Sequence, residues 1–105
     1  MNTVHEIFVP ADHPSLAGHF PGHPVVPAVV LLDAVFAAIR SRDVYSLESI
    51  PAAKFLQPVL PDERIELRLQ FTAMDALRWR ASFQGLRDAF VVFEGSFVVA
   101  AEPAS

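Results

Sequence analysis

Hydrophobic and polar positions along this chain change their period twice, and each change marks an element. The opening "VHEIFVP" is rich in branched and aromatic residues and closes on Pro10, which predicts a short first strand. Between there and the next apolar run stand Pro10, Pro14, Pro21, Pro24 and Pro27, with Gly18 and Gly22 among them. That punctuation excludes regular helix and predicts an ordered loop. The run that follows, Val29 to Ile39, is apolar at every position except Asp33. It predicts a helix from about Val26 to Arg40 or Arg42, with Pro27 in a first turn where a missing N–H costs nothing and a basic last turn that suits the helix dipole. Because apolar residues cover every side of this helix, it is expected to be buried all round.

Beyond the helix the period becomes two. "RIELRLQFTA" sets Ile65, Leu67, Leu69 and Phe71 against Glu66, Arg68, Gln70 and Thr72, and "LRWRASF" sets Leu77, Trp79, Ala81 and Phe83 against Arg78, Arg80 and Ser82. Both read as half-exposed antiparallel strands, with Trp79 at core spacing. "MDA" is short enough only for a hairpin turn, and "QGLRDA" around Gly85 is expected to supply the next. "FVVFEGSFVVAA" hardly alternates, as suits a strand buried on both faces or at a subunit interface. "AAKFLQPVLPDE" reads as a further strand whose Pro58 and Pro61 mark an edge or an end. The order is strand, loop, helix, then a meander of about four strands. Its economical packing is an α+β domain spanning residues 1–105, one central helix wrapped by a curled antiparallel sheet.

Composition narrows the function classes. With 52% hydrophobic and only 19% charged residues, a chain of 105 residues is expected to cover part of its apolar surface with a second copy, so a homodimer is anticipated. The net charge of −4 and the scattered basic residues argue against nucleic-acid binding. No cysteine is present, which removes disulfides, a thiolate nucleophile and Cys-based zinc sites, and permits a cytoplasmic address. "MNTVHEIFVP" does not read as a signal peptide, and the run at Val29 to Ile39 is too short for a membrane span. A soluble cytoplasmic protein with no membrane partner is expected.

The chemistry-bearing segment is "GHFPGHPVVPAVVLLDAV", in which Asp33 follows His19 by fourteen residues. It closely resembles the active-site segment of the 3-hydroxyacyl-acyl-carrier-protein dehydratases, the FabA/FabZ-like enzymes of hot-dog fold. Their motif runs roughly H-F-P-G-x-P-x-x-P-G, with an acidic residue fourteen positions after the histidine. "KFLQPVLPDERIEL" is similar to a strand-turn-strand of the same fold, and the small size resembles the dehydratase-like proteins of aryl-polyene pathways. The resemblance implies His19 and Asp33 as catalytic residues. It implies Phe20, Gly22 and Ala28 as substrate-binding positions, Phe20 also packing to fix the loop. It further implies an acyl-carrier-protein partner, no cofactor, and a dimer in which His19 of one subunit faces Asp33 of the other. The family's glycine at the helix start is Ala28 here, which keeps the backbone N–H and adds a methyl where substrate approaches.

The residue types suit that reaction. Removing water from a 3-hydroxyacyl thioester needs a base for the C2 proton, and a histidine titrates near neutrality. It needs positive charge at the developing enolate oxygen, which the N–H groups of a helix start at Ala28 can supply. It needs an acid for the departing hydroxyl, and Asp33 set among Val30, Phe36 and Ala37 is expected to be desolvated and so to favour its protonated form. Taken singly, a helical aspartate is as readily a local hydrogen-bonding residue, and a histidine beside prolines a packing one; the pair within the motif is what points to catalysis. His19 and His23 have a metal-like H-x-x-x-H spacing, but Pro21 and Gly22 prevent the helical turn that would align the rings, so no metal is expected. His5 and His13 read as strand-edge and loop residues. Arg78 and Arg80, with Arg68 on the neighbouring strand, form the nearest thing to a basic patch for an acidic carrier. The rival readings are a thioesterase of the same fold, with Asp33 activating water, and a non-catalytic acyl-binding or partner subunit.

Overall fold

The computed structural model describes residues 2–16 and 25–102. Five strands form one antiparallel sheet: β1 (Asn2–Phe8), β2 (Tyr45–Phe55), β3 (Arg64–Ala73), β4 (Arg78–Arg87) and β5 (Phe90–Ala101). An α-helix, α1 (Ala28–Arg40), lies between β1 and β2 in the chain, preceded by a single 3-10 turn at Pro14–Leu16. The strand order is β1-β3-β4-β5-β2, so only β3, β4 and β5 form a meander. The expected meander of about four strands is thus shortened by one. β1 pairs with β3 from Asn2↔Gln70 to Phe8↔Arg64, and β2 closes the far edge on β5. The connection carrying α1 therefore crosses the whole sheet, and the α+β hot-dog architecture follows from that crossing.

The two-residue period of β3 does what it predicts, and in β4 Ala81 and Phe83 are buried as expected, whereas Leu77 precedes the strand and is 55% exposed. Ile65, Leu67, Leu69 and Phe71 are buried while Glu66, Arg68, Gln70 and Thr72 are exposed. β5 is buried on both faces through residues such as Phe93, Phe97 and Val98, and β4 and β2 pair with its two edges. Phe83 meets Phe97 edge-on at 5.3 Å between ring centroids and Phe93 at 6.1 Å, forming the aromatic centre of the core. Trp79 packs against this core, and the Arg42 guanidinium lies 4.2 Å from the Phe71 ring centre and 5.4 Å from that of Trp79. No helix among the described residues is long and apolar enough to cross a membrane.

Three expectations are corrected. Gly85 is not in a turn: it lies within β4, and the reversal is made at Asp88 and Ala89, whose φ values of 51° and 70° fit the tight hairpin geometry. A Cβ at Gly85 would collide with the Phe93 ring, so the glycine serves close packing rather than chain reversal. The strand expected from residue 52 to 63 begins earlier, at Tyr45, and stops at Phe55. Its early half was hidden by Pro51, which sits where the register slips between Ser49 and Ala52, an irregularity an edge strand tolerates. After Phe55 the N–H groups of Leu56 and Gln57 both donate to the Val92 carbonyl, and Pro58 and Pro61 carry the chain away from the sheet.

The third correction concerns α1. Its own chain buries only one side, Val30, Leu31, Val35 and Ile39, each contributing about 1.5–3 kcal/mol by leaving water. On the opposite side Val29, Asp33 and Ala37 recur every fourth residue and are exposed, Val29 at 63%. A five-stranded sheet reaches only one face of a helix, so the all-round burial that the sequence pattern demands is not achieved by the described residues of one chain.

Candidate active site

The helix start is built by one proline and a long-range backbone bond. Pro27 occupies the N-cap position with φ −61° and ψ 148°, and no side chain caps the helix there. Its carbonyl accepts from the N–H of Val30 at 3.0 Å and of Leu31 at 3.3 Å. The N–H groups of Ala28 and Val29 thus precede the first intrahelical donor, and the positive end of the helix is presented through backbone alone. One residue upstream of Pro27, the N–H of Val26 donates to the Val59 carbonyl at 2.8 Å, which ties the entry to the segment after β2.

A groove of about 390 Å³ opens at this helix start. Its walls are Val26, Pro27, Ala28 and Leu31 on the helix side and Phe55, Leu56 and Val59 on the other. The lining is largely apolar, and Phe55 and Leu56 keep 41% and 50% of their surface exposed beside it. An apolar trough that runs to uncapped N–H groups suits a ligand with a hydrocarbon tail and a carbonyl or enolate head.

Of the residues singled out in the sequence, Ala28 lines this groove. Asp33 does not. It follows Ala28 by five residues, about 140° further round the helix, and projects from the exposed stripe. The desolvation expected from Val30, Phe36 and Ala37 is therefore not provided among the described residues: Val30 faces the core and Ala37 is itself exposed. His19, Phe20, Gly22 and His23 lie outside the described residues. Among the described residues no group of three or more histidine, cysteine, aspartate or glutamate side chains is placed to hold a metal. His5 shares a 3.0 Å hydrogen bond with the Thr3 hydroxyl on β1.

Phe55 and Leu56 were missed as site residues because their stretch reads as a continuing strand. The available signal was an apolar pair shortly before Pro58 and Pro61, two prolines that mark a strand end. A larger groove, about 780 Å³, lies among outward-facing residues of the sheet, including Arg68, Gln70, Arg80 and Ser82, with Lys54 and Glu94. Arg68 is paired with Glu66 at 2.6 Å and Arg78 with Asp75 at 2.7 Å, whereas Arg80 donates to the Ser96 hydroxyl at 3.4 Å.

Residues 1–92 match the family model of the ApeI-like dehydratases, described as ApeI dehydratase. The chain belongs to that family. Among curated relatives of this ApeI-like chain, a 3-hydroxyacyl-[acyl-carrier-protein] dehydratase FabZ from Myxococcus xanthus (strain DK1622) is 32% identical over 101 residues. The match takes in 86% of this chain and 66% of the relative, so the chain spans just under two thirds of that protein's length. Among solved structures, the dehydratase heterocomplex ApeI:P from Xenorhabdus doucetiae superposes with a TM-score of 0.75 at 18% identity, covering 94% of this chain and 87% of that one. The (R)-hydratase from A. caviae involved in PHA biosynthesis superposes with a TM-score of 0.81 at 13% identity, covering 97% and 95%. At such identities the two structures establish the shared fold. The family assignment rests on the sequence match over residues 1–92.

Proposed function

We propose that this ApeI-like protein removes water from 3-hydroxyacyl thioesters borne on an acyl carrier protein, giving trans-2-enoyl thioesters in fatty acid or polyene-type synthesis. The observation that carries the reading is the apolar groove ending at the uncapped start of α1, within a chain of dehydratase family. The acyl chain lies in the groove, and the thioester oxygen meets the N–H groups at Ala28. His19 takes the C2 proton as negative charge moves onto that oxygen. As the C2–C3 double bond forms, the C3–O bond breaks, and Asp33 supplies the proton with which the hydroxyl leaves as water. Proton exchange with solvent then returns His19 to its neutral form and Asp33 to its protonated form.

The placement of Asp33 on a different side of α1 from the groove supports a site assembled by two subunits. On this reading the protein is a homodimer, and the exposed stripe of Val29, Asp33 and Ala37 is covered by the second copy, whose groove and His19 meet Asp33. Burial on assembly supplies the desolvation that the described residues of a single chain do not. The exposed Leu47 and Ile50 of the edge strand β2 give further apolar surface for such a contact. Phe20 and Gly22 are the remaining substrate-contacting positions, no cofactor is required, and the reaction belongs to the cytoplasm.

Incubation with a 3-hydroxyacyl thioester on a carrier protein tests the function directly. The expected product is the enoyl thioester, with the characteristic absorbance of its conjugated double bond. Release of free thiol would replace this reading with a thioesterase. Absence of any reaction, with the substrate bound, would replace it with a non-catalytic acyl-binding subunit.

A further inference from the structure

The two stems of the segment that carries His19 are attached to one turn. On the entry side the Asp62 N–H donates to the Val9 carbonyl at 2.8 Å, and the Asp62 carboxylate accepts from the Ala11 N–H at 3.1 Å. On the exit side the Val59 carbonyl accepts from the Val26 N–H at 2.8 Å, directly before the helix start. Asp62 and Val59 are three residues apart, so one short piece of chain sets the distance between Ala11 and Val26.

That turn is itself held. The Glu63 carboxylate accepts from the Leu60 N–H at 2.7 Å and from Arg87 Nη1 at 2.9 Å, and the same Nη1 donates to the Pro58 carbonyl at 2.9 Å. Arg87 and Glu63 have side-chain exposures of 30% and 26%, against 45% or more for both members of each of the other ion pairs among the described residues. Shelter from solvent makes this the ion pair least weakened by screening. Asp62 adopts φ 64°, a left-handed conformation open chiefly to glycine, asparagine and aspartate. Of these, glycine lacks the oxygen that holds Ala11.

We propose that the turn at residues 58–63, locked to β4 by Arg87, is the clamp that positions the helix start and the stems of the His19 segment, with Asp62 as its positioning residue. The effect on turnover rests on the function proposed above. A shift of even a fraction of an ångström between Ala11 and Val26 misaligns the base with the N–H groups at Ala28, and such misplacement is costly in catalysis while leaving apolar binding intact.

The test combines amide hydrogen exchange with kinetics on Asp62→Gly, Asp62→Asn and Arg87→Met. Asp62→Gly keeps the backbone conformation and deletes the oxygen; Asp62→Asn keeps both. Exchange of the Ala11 amide should quicken in Asp62→Gly and return to the wild-type rate in Asp62→Asn. Arg87→Met should quicken both Ala11 and Val26. For dehydration, kcat should fall about tenfold in Asp62→Gly with KM within about twofold, and Asp62→Asn should recover it. Should Arg87→Met not fold, Asp62→Gly carries the test alone, because glycine meets no strain at that φ. Wild-type exchange at Ala11 in Asp62→Gly, or an Asp62→Asn variant as impaired as the glycine one, overturns the clamp. If the wild-type protein does not dehydrate, it is the proposed function that falls, and the exchange rates still decide the clamp.

Discussion

Asp33 lies one helical turn beyond Val29 on the same exposed face of α1, away from the groove that Ala28 lines. On the function proposed above, Asp33 as the acid and the N–H groups at Ala28 as the oxyanion site face different sides of one helix, so a second subunit is called on to bring them to one substrate. This relationship is what a shared site requires.

Complementation follows from it. Homodimers of His19→Ala and of Asp33→Ala should each be inactive, while a co-refolded mixture should regain activity up to roughly a quarter of wild type, since about half the dimers are mixed and each restores one of two sites. A mixture that stays inactive, with mixed dimers verified by native mass spectrometry, refutes the shared site. Asp33→Asn should also abolish turnover with the thermal midpoint of the protein preserved, because the amide has nearly the shape of the carboxyl.

Carrier docking is tested at Arg80 and Lys54. Arg68 and Arg78 already serve carboxylates of their own strands or turns, so Arg80, bonded only to a serine hydroxyl among the described side chains, is the better cation for an incoming acidic partner. Arg80→Glu with Lys54→Glu should raise KM about fivefold or more for carrier-linked substrate and leave small thioester mimics unaffected. Equal effects on both substrates would remove this face from docking.

Gly95 probes the core. A Cβ there would collide with the Ala52 carbonyl oxygen of β2 and lie 2.7 Å from the Phe83 ring. Because one of the obstacles is backbone, Gly95→Ala should destabilise the protein by about 1–3 kcal/mol, read by denaturant unfolding.

The β3–β4 hairpin should respond to acid through Asp75. Hydrogen bonds from the Leu77 N–H, first, and then from Arg78 hold its carboxyl below the ordinary value of 3.8. A carboxylate with a depressed native pKa stabilises in full above its ordinary value and loses that contribution as pH falls through the lowered one. The stability difference between wild type and Asp75→Ala should therefore be constant from neutral pH down to about 3.8 and shrink below it as pH falls through the lowered native value, as followed by urea titrations at a series of pH values. A difference that grew in acid would contradict the assignment.

How much of this was legible in the sequence depended on whether a signal was local. The alternation of "RIELRLQFTA" belongs to a strand with one wet face, so β3 could be read residue by residue. β2 could not, because an edge strand with Pro51 at a register slip has neither period nor clean composition. Gly85 was misread because a glycine that makes room for an aromatic ring looks the same in sequence as one that turns the chain. The pair His19 and Asp33 is proposed on a motif, whereas the clamp at residues 58–63 depends on Arg87, a partner 24 residues from Glu63, and no spacing rule announces such a contact.

The strand order also governs the sequence of folding events. β5, the last strand to be synthesised, sits between β4 and β2, and β1 must wait for β3, more than fifty residues later. Loop closures of that length are slow compared with the local hairpins of β3, β4 and β5, so these hairpins are expected to form first, with β1 docking onto them afterwards. During translation α1 leaves the ribosome before any surface exists to receive it. Its apolar flank must stay protected from other chains until Ala101 has been made.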